Sequence, residues 1–349
     1  MKANKTIIFL IVSMMLTSCL SKKYVISTHI ERNGSLSRAI STIADSVSNL
    51  FPYDLSSGWE ISLTDTAVIA YLSMKNTTII RISKKFNSVD ELPSGLIQDK
   101  IYPVPKEYLK KRFRWFYTYY HFTAVYPEIS EKGQVAMEEY LNKDEQKLYF
   151  QGDMSAYKGL TGIELKEVLD GIEERFLEWY NRSSYEESFQ MILQYTYVDY
   201  RPALEAAKDT LYKIYSKQNP DLSFMTAPNV KKLCPMIDEY FDTNRFSDIY
   251  AVNSQQIEDI LQERSKYIDE LLQYSIQFEI SFLGKIIATN SVQQNNGALV
   301  WEVHLFKFLA DDYTLTAEWR TANGWAFAIT LLLIIFAVYC FYKASNAAG

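Results

Sequence analysis

One uncharged stretch near the C-terminus constrains the fold of this chain more than any other feature. Residues 325–342 read WAFAITLLLIIFAVYCFY, eighteen residues without a charged side chain. As a helix they would extend for about 27 Å, enough for a thin bilayer. Trp325 and Tyr342 stand at the two ends, where amphipathic aromatic rings favour the membrane interface. The stretch predicts a transmembrane helix; the alternative is a buried core helix, which its lack of a polar face disfavours.

The N-terminus predicts a second anchor. A short basic region precedes an apolar segment, Ile7 to Leu16, that is too short to span a bilayer. The residues that follow, Leu16-Thr17-Ser18-Cys19, resemble a bacterial lipobox. This resemblance implies a lipoprotein signal peptide over residues 1–18, cleavage before Cys19, acylation of Cys19 with palmitate-type chains, and a lipidated tether over residues 19–23. The alternative is an ordinary signal peptide with a chance cysteine.

The two anchors together predict a location. If the domain after Cys19 is exported, the C-terminal helix must return residues 343–349 to the cytoplasm, with Lys343 on the inner side. Apolar spanning helices are normally released into the cytoplasmic membrane. We therefore expect a lipid-anchored, single-pass protein of the cytoplasmic (inner) membrane, with its main domain on the extracytoplasmic or periplasmic side.

The charge distribution argues against nucleic acid as a partner. The net charge is −6, and residues 131–275 carry 27 acidic against 16 basic side chains. Nucleic-acid binding needs a basic footprint instead. The acidity of this segment is typical of solvated helix faces.

Hydrophobic periodicity predicts an α+β fold with the order β, α, β and then the membrane helix. Residues 24–130 and 276–322 predict two parts of one split antiparallel β domain, and residues 131–275 predict a large helical insertion. Asn33-Gly34 predicts a hairpin turn in the first part. Residues 112–126 predict a single strand covered on both faces, because aromatic residues fall on both parities.

Two finer expectations follow from short sequence features. Thr161 and Glu164 stand in capping-box spacing and predict the start of a helix. Short linkers join the domain to both anchors, so both of its ends must lie close to the same membrane face. We expect the first strand and the last strand, near Tyr313 to Trp319, to be antiparallel neighbours in one sheet.

Cysteine and histidine usage gives little support to catalysis. Apart from Cys19 and Cys340 of the apolar run, Cys234 stands alone, which predicts a buried, inert thiol and no disulfide framework. His29, His121 and His304 each lie alone in a predicted strand, without a second ligand at metal spacing. We expect no metal, no cofactor and no catalytic residue. The alternative is an enzyme whose site assembles from scattered residues near His121 or His304.

One cluster of basic residues looks functional. The sequence KEYLKKRFRW, residues 106–115, interleaves cations with aromatic rings. Near a bilayer, such a patch would meet anionic headgroups, at about 1 kcal/mol for each basic residue. The alternative is a solvated strand whose long basic stems cover apolar rims. The five cations of this lipid-surface or partner patch are Lys106, Lys110, Lys111, Arg112 and Arg114.

Several stretches resemble uncharacterised bacterial lipoproteins that pair a lipobox with a C-terminal membrane helix. These stretches are IERNGSLSRAI, FRWFYTYYHF, FEISFLGKIIATNS, GALVWEVHL and LTAEWRTANGWA. Residues 278–303 and 314–326 also faintly resemble LppM-type lipoprotein domains, with Leu283-Gly284 where those have Pro-Gly. The second resemblance implies a β-rich domain linked to lipid binding, and neither implies catalytic residues.

The sequence thus favours a non-enzymatic, doubly anchored envelope lipoprotein. We expect its exported domain to bind a protein partner or membrane lipid at the outer face of the cytoplasmic membrane, without nucleic acid. The alternative function is a hydrolase or transferase that acts on an envelope component.

Overall fold

The structure, a computed structural model, describes most of the chain between residues 23 and 348. The fold is α+β, as the periodicity predicts. The chain divides into a β unit (residues 1–127, 271–305 and 312–349) and a helical unit (residues 128–270 and 306–311). Cys19 and the lipobox lie outside the described residues. The described ranges are 23–44, 58–65, 78–92, 105–129, 134–219, 229–273, 275–295 and 297–348.

The larger sheet of the β unit has seven strands in the part of the chain that the structure describes. They are β1 (Lys23–Ile30), β2 (Leu36–Ala44), β3 (Glu60–Asp65), β4 (Thr78–Phe86), β7 (Ser275–Phe282), β9 (Gln293–Asn295) and β10 (Ala298–His304). Their order is β3-β4-β2-β1-β7-β10-β9. The hairpin predicted at Asn33-Gly34 joins β1 to β2 and is confirmed. All neighbours are antiparallel except β1 and β7, which the long helical segment between them allows to run parallel.

The smaller sheet of the β unit has four antiparallel strands. They are β5 (Lys106–Phe113), β6 (Tyr117–Tyr126), β8 (Lys285–Thr289) and β11 (Tyr313–Ala322), in the order β5-β6-β11-β8. The prediction of one continuous strand over residues 112–126 is therefore wrong. A hairpin turn separates β5 from β6, and the Arg114 N–H donates to the Tyr117 carbonyl at 2.8 Å. The turn contains neither Gly nor Pro, so the sequence gives no local sign of it.

Strand β6 alternates strictly between two environments. Tyr120, Phe122 and Tyr126 point into the core and are buried, whereas Tyr119 and His121 on the other side are half-buried. The expectation of a strand covered on both faces is therefore wrong. The tyrosines of the second parity are amphipathic, and such rings can pack along a sheet while their polar ends reach water. We call this second side, shared by all four strands, the outer face of the smaller sheet.

The two sheets pack face to face and form the core of the β unit. The Phe122 ring lies 6.2 Å from the Phe278 ring across the interface, and Phe282 stacks on Trp319 at 4.1 Å. Trp319 is almost fully buried. This arrangement is a β-sandwich.

The first and last strands lie in different sheets, so the expectation that β1 and β11 are neighbours is wrong. If both anchors lie in one membrane, short linkers require only that both ends of the domain approach one membrane face. Two strands on opposite layers of a sandwich meet that requirement as well as two neighbours in a sheet.

The chain crosses from one sheet to the other at Gly284, between β7 and β8. This residue has φ of +146°. A Cβ here would lie 2.6 Å from the Arg320 carbonyl oxygen of β11. Only glycine fits, because the backbone is in a region that L residues avoid and strand β11 passes directly against it.

Among the described residues, five α-helices lie in the helical unit. They are α1 (Lys143–Gln146), α2 (Gly162–Tyr195), α3 (Arg201–Gln218), α4 (Val230–Phe241) and α5 (Arg245–Gln273). The capping box predicted from Thr161 and Glu164 is present at the start of α2. Helices α2, α3 and α4 share a core that includes Phe189, Leu211 and Leu233.

A sixth helix, α6 (Gly324–Ala348), belongs to the β unit and follows β11 directly. Its residues 324–344 are long and apolar enough to cross a membrane, with a mean hydropathy of 2.3. Only 6% of its most apolar window is buried. The alternative of a buried core helix is therefore not supported, since a core helix would be covered.

Candidate membrane-interface site

The hairpin between β5 and β6 lies against the first turns of α6. The indole N–H of Trp115, at the hairpin tip, donates to the Thr330 hydroxyl at 2.9 Å. Trp325 of α6 stacks on Phe113 at 6.2 Å and meets the edge of Trp115 at 5.2 Å. The apolar helix is thus joined to the folded domain by side-chain packing as well as by the chain itself.

Six aromatic rings, two of them on α6 itself, cluster at the start of this helix. Besides the contacts of Trp325, Phe327 lies 4.8 Å from Phe116 and 5.8 Å from Tyr117. Most of these rings remain substantially exposed, Phe113 at 56% and Trp325 at 51%. Exposed amphipathic rings at the end of an apolar helix are typical of the membrane–water interface. We call Phe113, Trp115, Phe116, Tyr117, Trp325 and Phe327 the aromatic collar.

Asn323 fixes the junction between β11 and α6. Its side-chain amide donates to the carbonyls of Arg114 (2.7 Å) and Trp115 (3.1 Å), and its backbone N–H donates to the Phe116 carbonyl at 2.9 Å. Its side-chain oxygen accepts a hydrogen bond from Thr118 at 2.9 Å. One residue therefore satisfies the carbonyls of a turn that would otherwise depend on water. The hairpin and the helix are held together at this point.

The predicted basic patch does not lie on one side of its strand. Lys106, Lys110 and Arg112 alternate along β5 on the outer face, and Arg114 lies in the hairpin turn. Lys111 faces the opposite side: its ammonium donates to the Arg32 carbonyl at 3.0 Å and lies over the Tyr120 ring. Lys110, Arg112 and Arg114 thus lie toward the collar, whereas Lys106 lies at the far end of β5. Lys111 instead contacts the β1–β2 turn.

Two further cations of the same face, Arg320 and Lys285, were not predicted from the sequence. Arg320 of β11 pairs with Tyr119 of β6, which itself pairs with Arg112. On the far side, Arg320 pairs with Lys285 of β8. Directly opposed residues of antiparallel strands point to the same face. The alternation of LTAEWRTA could have shown that the Arg320 side chain points to the face opposite that of Trp319. No local signal in the sequence, however, gives the register of β11 with β6 and β8.

A buried ion pair holds β5 onto the larger sheet. Arg38 of β2 donates two hydrogen bonds of 2.6 Å to the two carboxylate oxygens of Glu107 in β5. The side chains are 0% and 5% exposed, and Arg38 also donates to Thr28 at 3.0 Å. Such a bidentate pair specifies geometry as well as attraction. Burial, followed by the nearby Glu107 carboxylate, raises the pKa of the Tyr126 hydroxyl far above its usual range.

His121 takes part in a chain of hydrogen bonds on the outer face. Its Nδ1 lies 2.8 Å from a Glu318 carboxylate oxygen and its Nε2 lies 3.0 Å from the Thr123 hydroxyl. This order of hydroxyl, imidazole and carboxylate is the one that activates a nucleophile. However, β6 is paired on both edges, so the backbone N–H groups around Thr123 are used in the sheet and cannot bind an oxyanion. The chain of bonds is better explained as a means of orienting side chains across two strands.

The other candidate residues are separated from this site. His29 of β1 and His304 of β10 belong to the larger sheet, and His29 lies 2.9 Å from the Ser281 hydroxyl. Among the described residues no three His, Cys, Asp or Glu side chains gather as metal ligands. Cys234 is buried in the helical unit, as predicted, and burial raises the pKa of its thiol to about 12.

Comparison with known proteins identifies no family. No protein-family model matches the chain, and no curated protein matches it. Among solved structures, the chain is similar to the folded domain of the LppM protein of Mycobacterium tuberculosis, determined by NMR. The two share 7% identity over 87% of this chain and 91% of that one, with a TM-score of 0.29. A TM-score of this size indicates only a weak resemblance of fold and bears on neither ligand nor activity.

Proposed function

We propose that this protein is a non-enzymatic envelope lipoprotein of the cytoplasmic membrane, anchored twice. A lipid on Cys19 would hold one end and α6 the other, so that the β unit sits on the outer face of the bilayer. There it acts as a binding module for an envelope partner or for membrane lipid. No nucleic acid and no cofactor take part.

The main support for this proposal is the contact between the β5–β6 hairpin and α6. A domain tethered by a flexible linker would need no side-chain contacts with its spanning helix. Here Trp115 is hydrogen-bonded to Thr330 inside the helix, and Asn323 ties the hairpin to the residue where the helix begins. Such contacts fix the orientation of the β unit relative to the helix axis. A fixed orientation is useful to a protein that recognises something at the bilayer surface.

The dimensions of α6 agree with this position. The 21 residues of the apolar segment rise by about 32 Å, close to the thickness of roughly 30 Å of a bilayer core. The aromatic collar would then lie at the level of the headgroups, where Trp and Tyr are enriched. Most of the large apolar side chains between Leu331 and Tyr342 are exposed and need a lipid environment.

Membrane extraction of an anchor variant tests the proposal. In Cys19→Ala, processing and acyl labelling should be lost, yet the protein should stay in the membrane pellet after carbonate at high pH, because α6 remains. Introducing two lysines, at Leu333 and Phe336, into that variant should release it. The lysines belong in the middle of the helix, where charges are most costly. Acyl labelling of Cys19→Ala, or release of that variant by carbonate, would contradict double anchoring.

A further inference from the structure

We propose that the outer face of the smaller sheet binds the phosphate groups of anionic phospholipids beside α6. The site consists of Arg112, Arg320 and Lys285 with Tyr119 between them, supported by Lys110. This inference rests on the proposed membrane position of α6 and deepens it by naming the ligand class and the residues that recognise it.

Strand register places the site's side chains in one row. Arg112 of β5 pairs with Tyr119 of β6, Tyr119 with Arg320 of β11, and Arg320 with Lys285 of β8. Neighbouring strands are about 4.8 Å apart, so the row extends for roughly 14 Å across the sheet. That length suits one or two lipid headgroups lying side by side. Three cations therefore meet from three strands that are far apart in sequence.

The charges of this row have no carboxylate partners in the described part of the chain. None of Arg112, Arg320 and Lys285 forms an ion pair there. The adjacent row, Lys110, His121, Glu318 and Ala288, contains one carboxylate, and His121 already contacts it. Arg320 and Lys285 are direct cross-strand neighbours with like charges, a pairing that destabilises a sheet. An anion bound between them would remove this repulsion.

The Arg320 side chain leans toward the membrane end of the sheet. Its guanidinium lies over the Tyr117 ring at 4.4 Å. Tyr117 pairs with Ala322, two residues closer to α6 than Arg320, and its ring also touches Phe327 of α6. Only the Tyr117 ring thus lies between the Arg320 guanidinium and Phe327 in the first turn of α6. Headgroups extend roughly 5–7 Å beyond the hydrocarbon core on each side, which brings them within reach of this charge.

The chemistry of the row suits a phosphodiester in particular. A planar guanidinium offers paired donors that match two phosphate oxygens, and two such groups flank the Tyr119 ring. The row is continuous with the aromatic collar and the apolar helix, which would accommodate the glycerol and acyl parts of the same lipid. The occupant is therefore an anionic lipid rather than a free anion, since only a lipid uses both surfaces.

Lipid selection by the full-length protein tests this inference. The wild type, reconstituted in equimolar phosphatidylglycerol and phosphatidylcholine, is extracted in mild detergent, and the retained lipids are counted by mass spectrometry. We expect enrichment of phosphatidylglycerol. Arg112→Gln/Arg320→Gln should lower this enrichment at least about fivefold, the effect of roughly one basic residue near an anionic surface. The charge-matched control Lys231→Gln/Lys232→Gln, on the exposed side of α4, should leave it unchanged.

A footprint on the wild type keeps the test independent of the folding of the variants. Acylation of lysines is compared in bilayer discs with and without phosphatidylglycerol. Lys285 and Lys110 should become protected by the anionic lipid, whereas Lys85 of β4 and Lys231 should not. Equal reactivity of all four lysines in both discs, or equal enrichment in both double variants, would overturn the inference. A protein that fails to enter the discs at all would instead refute the membrane position of α6.

Discussion

Removing one partner of the buried ion pair between Arg38 and Glu107 should destabilise the β unit strongly. In Glu107→Gln, the Arg38 guanidinium stays 0% exposed and loses a bidentate carboxylate with two bonds of 2.6 Å. Leaving a buried charge uncompensated lowers the free energy of unfolding by about 3–5 kcal/mol. With a urea dependence of about 2 kcal/mol per molar, the unfolding midpoint falls by roughly 2 M.

Removing both charges of the pair should have a much smaller effect than removing one. Arg38→Met/Glu107→Leu takes away the desolvation penalty together with the attraction, so we expect a change within about 2 kcal/mol of the wild type. In the cycle closed by Arg38→Met and Glu107→Leu, the double variant should therefore lose several kcal/mol less stability than the sum of the two single losses. A surface pair would give no such contrast, because water screens each partner.

The two units can be followed separately in one urea titration. Five of the six tryptophans lie in the β unit and Trp179 lies in the helical unit, so indole fluorescence reports mainly on the β unit. In a Cys340→Ser background, the thiol reactivity of Cys234 reports on the helical unit, where that residue is buried. Glu107→Gln should shift the fluorescence transition alone. If the single and the double variant lose equal stability, or if the fluorescence midpoint does not move, the ion pair does not hold β5 as described.

Three further predictions concern the junction, the crossing between sheets and the free thiol. Asn323→Ala should speed hydrogen exchange of the Arg114–Phe116 hairpin amides at least tenfold, because the amide side chain bonds two carbonyls of that turn; unchanged exchange would contradict this. Gly284→Ala should destabilise the β unit by about 2 kcal/mol or more, whereas the helical control Gly171→Ala, with open space at its Cβ, should stabilise by up to about 1 kcal/mol in the same titration. At pH 8, Cys234 should resist a thiol reagent in the folded protein and react at once in urea, because burial raises the pKa of its thiol to about 12; rapid modification of the folded protein would refute this. Because the folded state keeps this thiol protonated, the raised pKa contributes to the stability of the fold below pH 9.0, the ordinary pKa of a thiol. This contribution to stability should be lost as pH rises toward about 12.

Features that depend on nearby residues were readable from the sequence. The apolar helix, the capping box at Thr161 and the hairpin at Asn33-Gly34 each depend on spacings of a few residues. The α+β order follows from a change of hydrophobic period along the chain, which is again local. The buried state of Cys234 follows from its type and its apolar surroundings.

The site itself depends on contacts between distant residues, and only the tertiary structure decided it. Arg112 and Arg320 are separated by more than 200 residues and meet because β6 lies between their strands in one particular register. A shift of one residue would send every side chain of a strand to the other face, and no local pattern specifies that choice across a long connection. For the same reason the sequence grouped Lys111 with its neighbours, whereas the alternation of β5 separates them. The partners of Arg38 and Asn323 likewise come from distant parts of the chain. A buried charge, or a carbonyl of a turn, can be hydrogen-bonded by any suitable residue that the fold places beside it, so the sequence does not identify the partner.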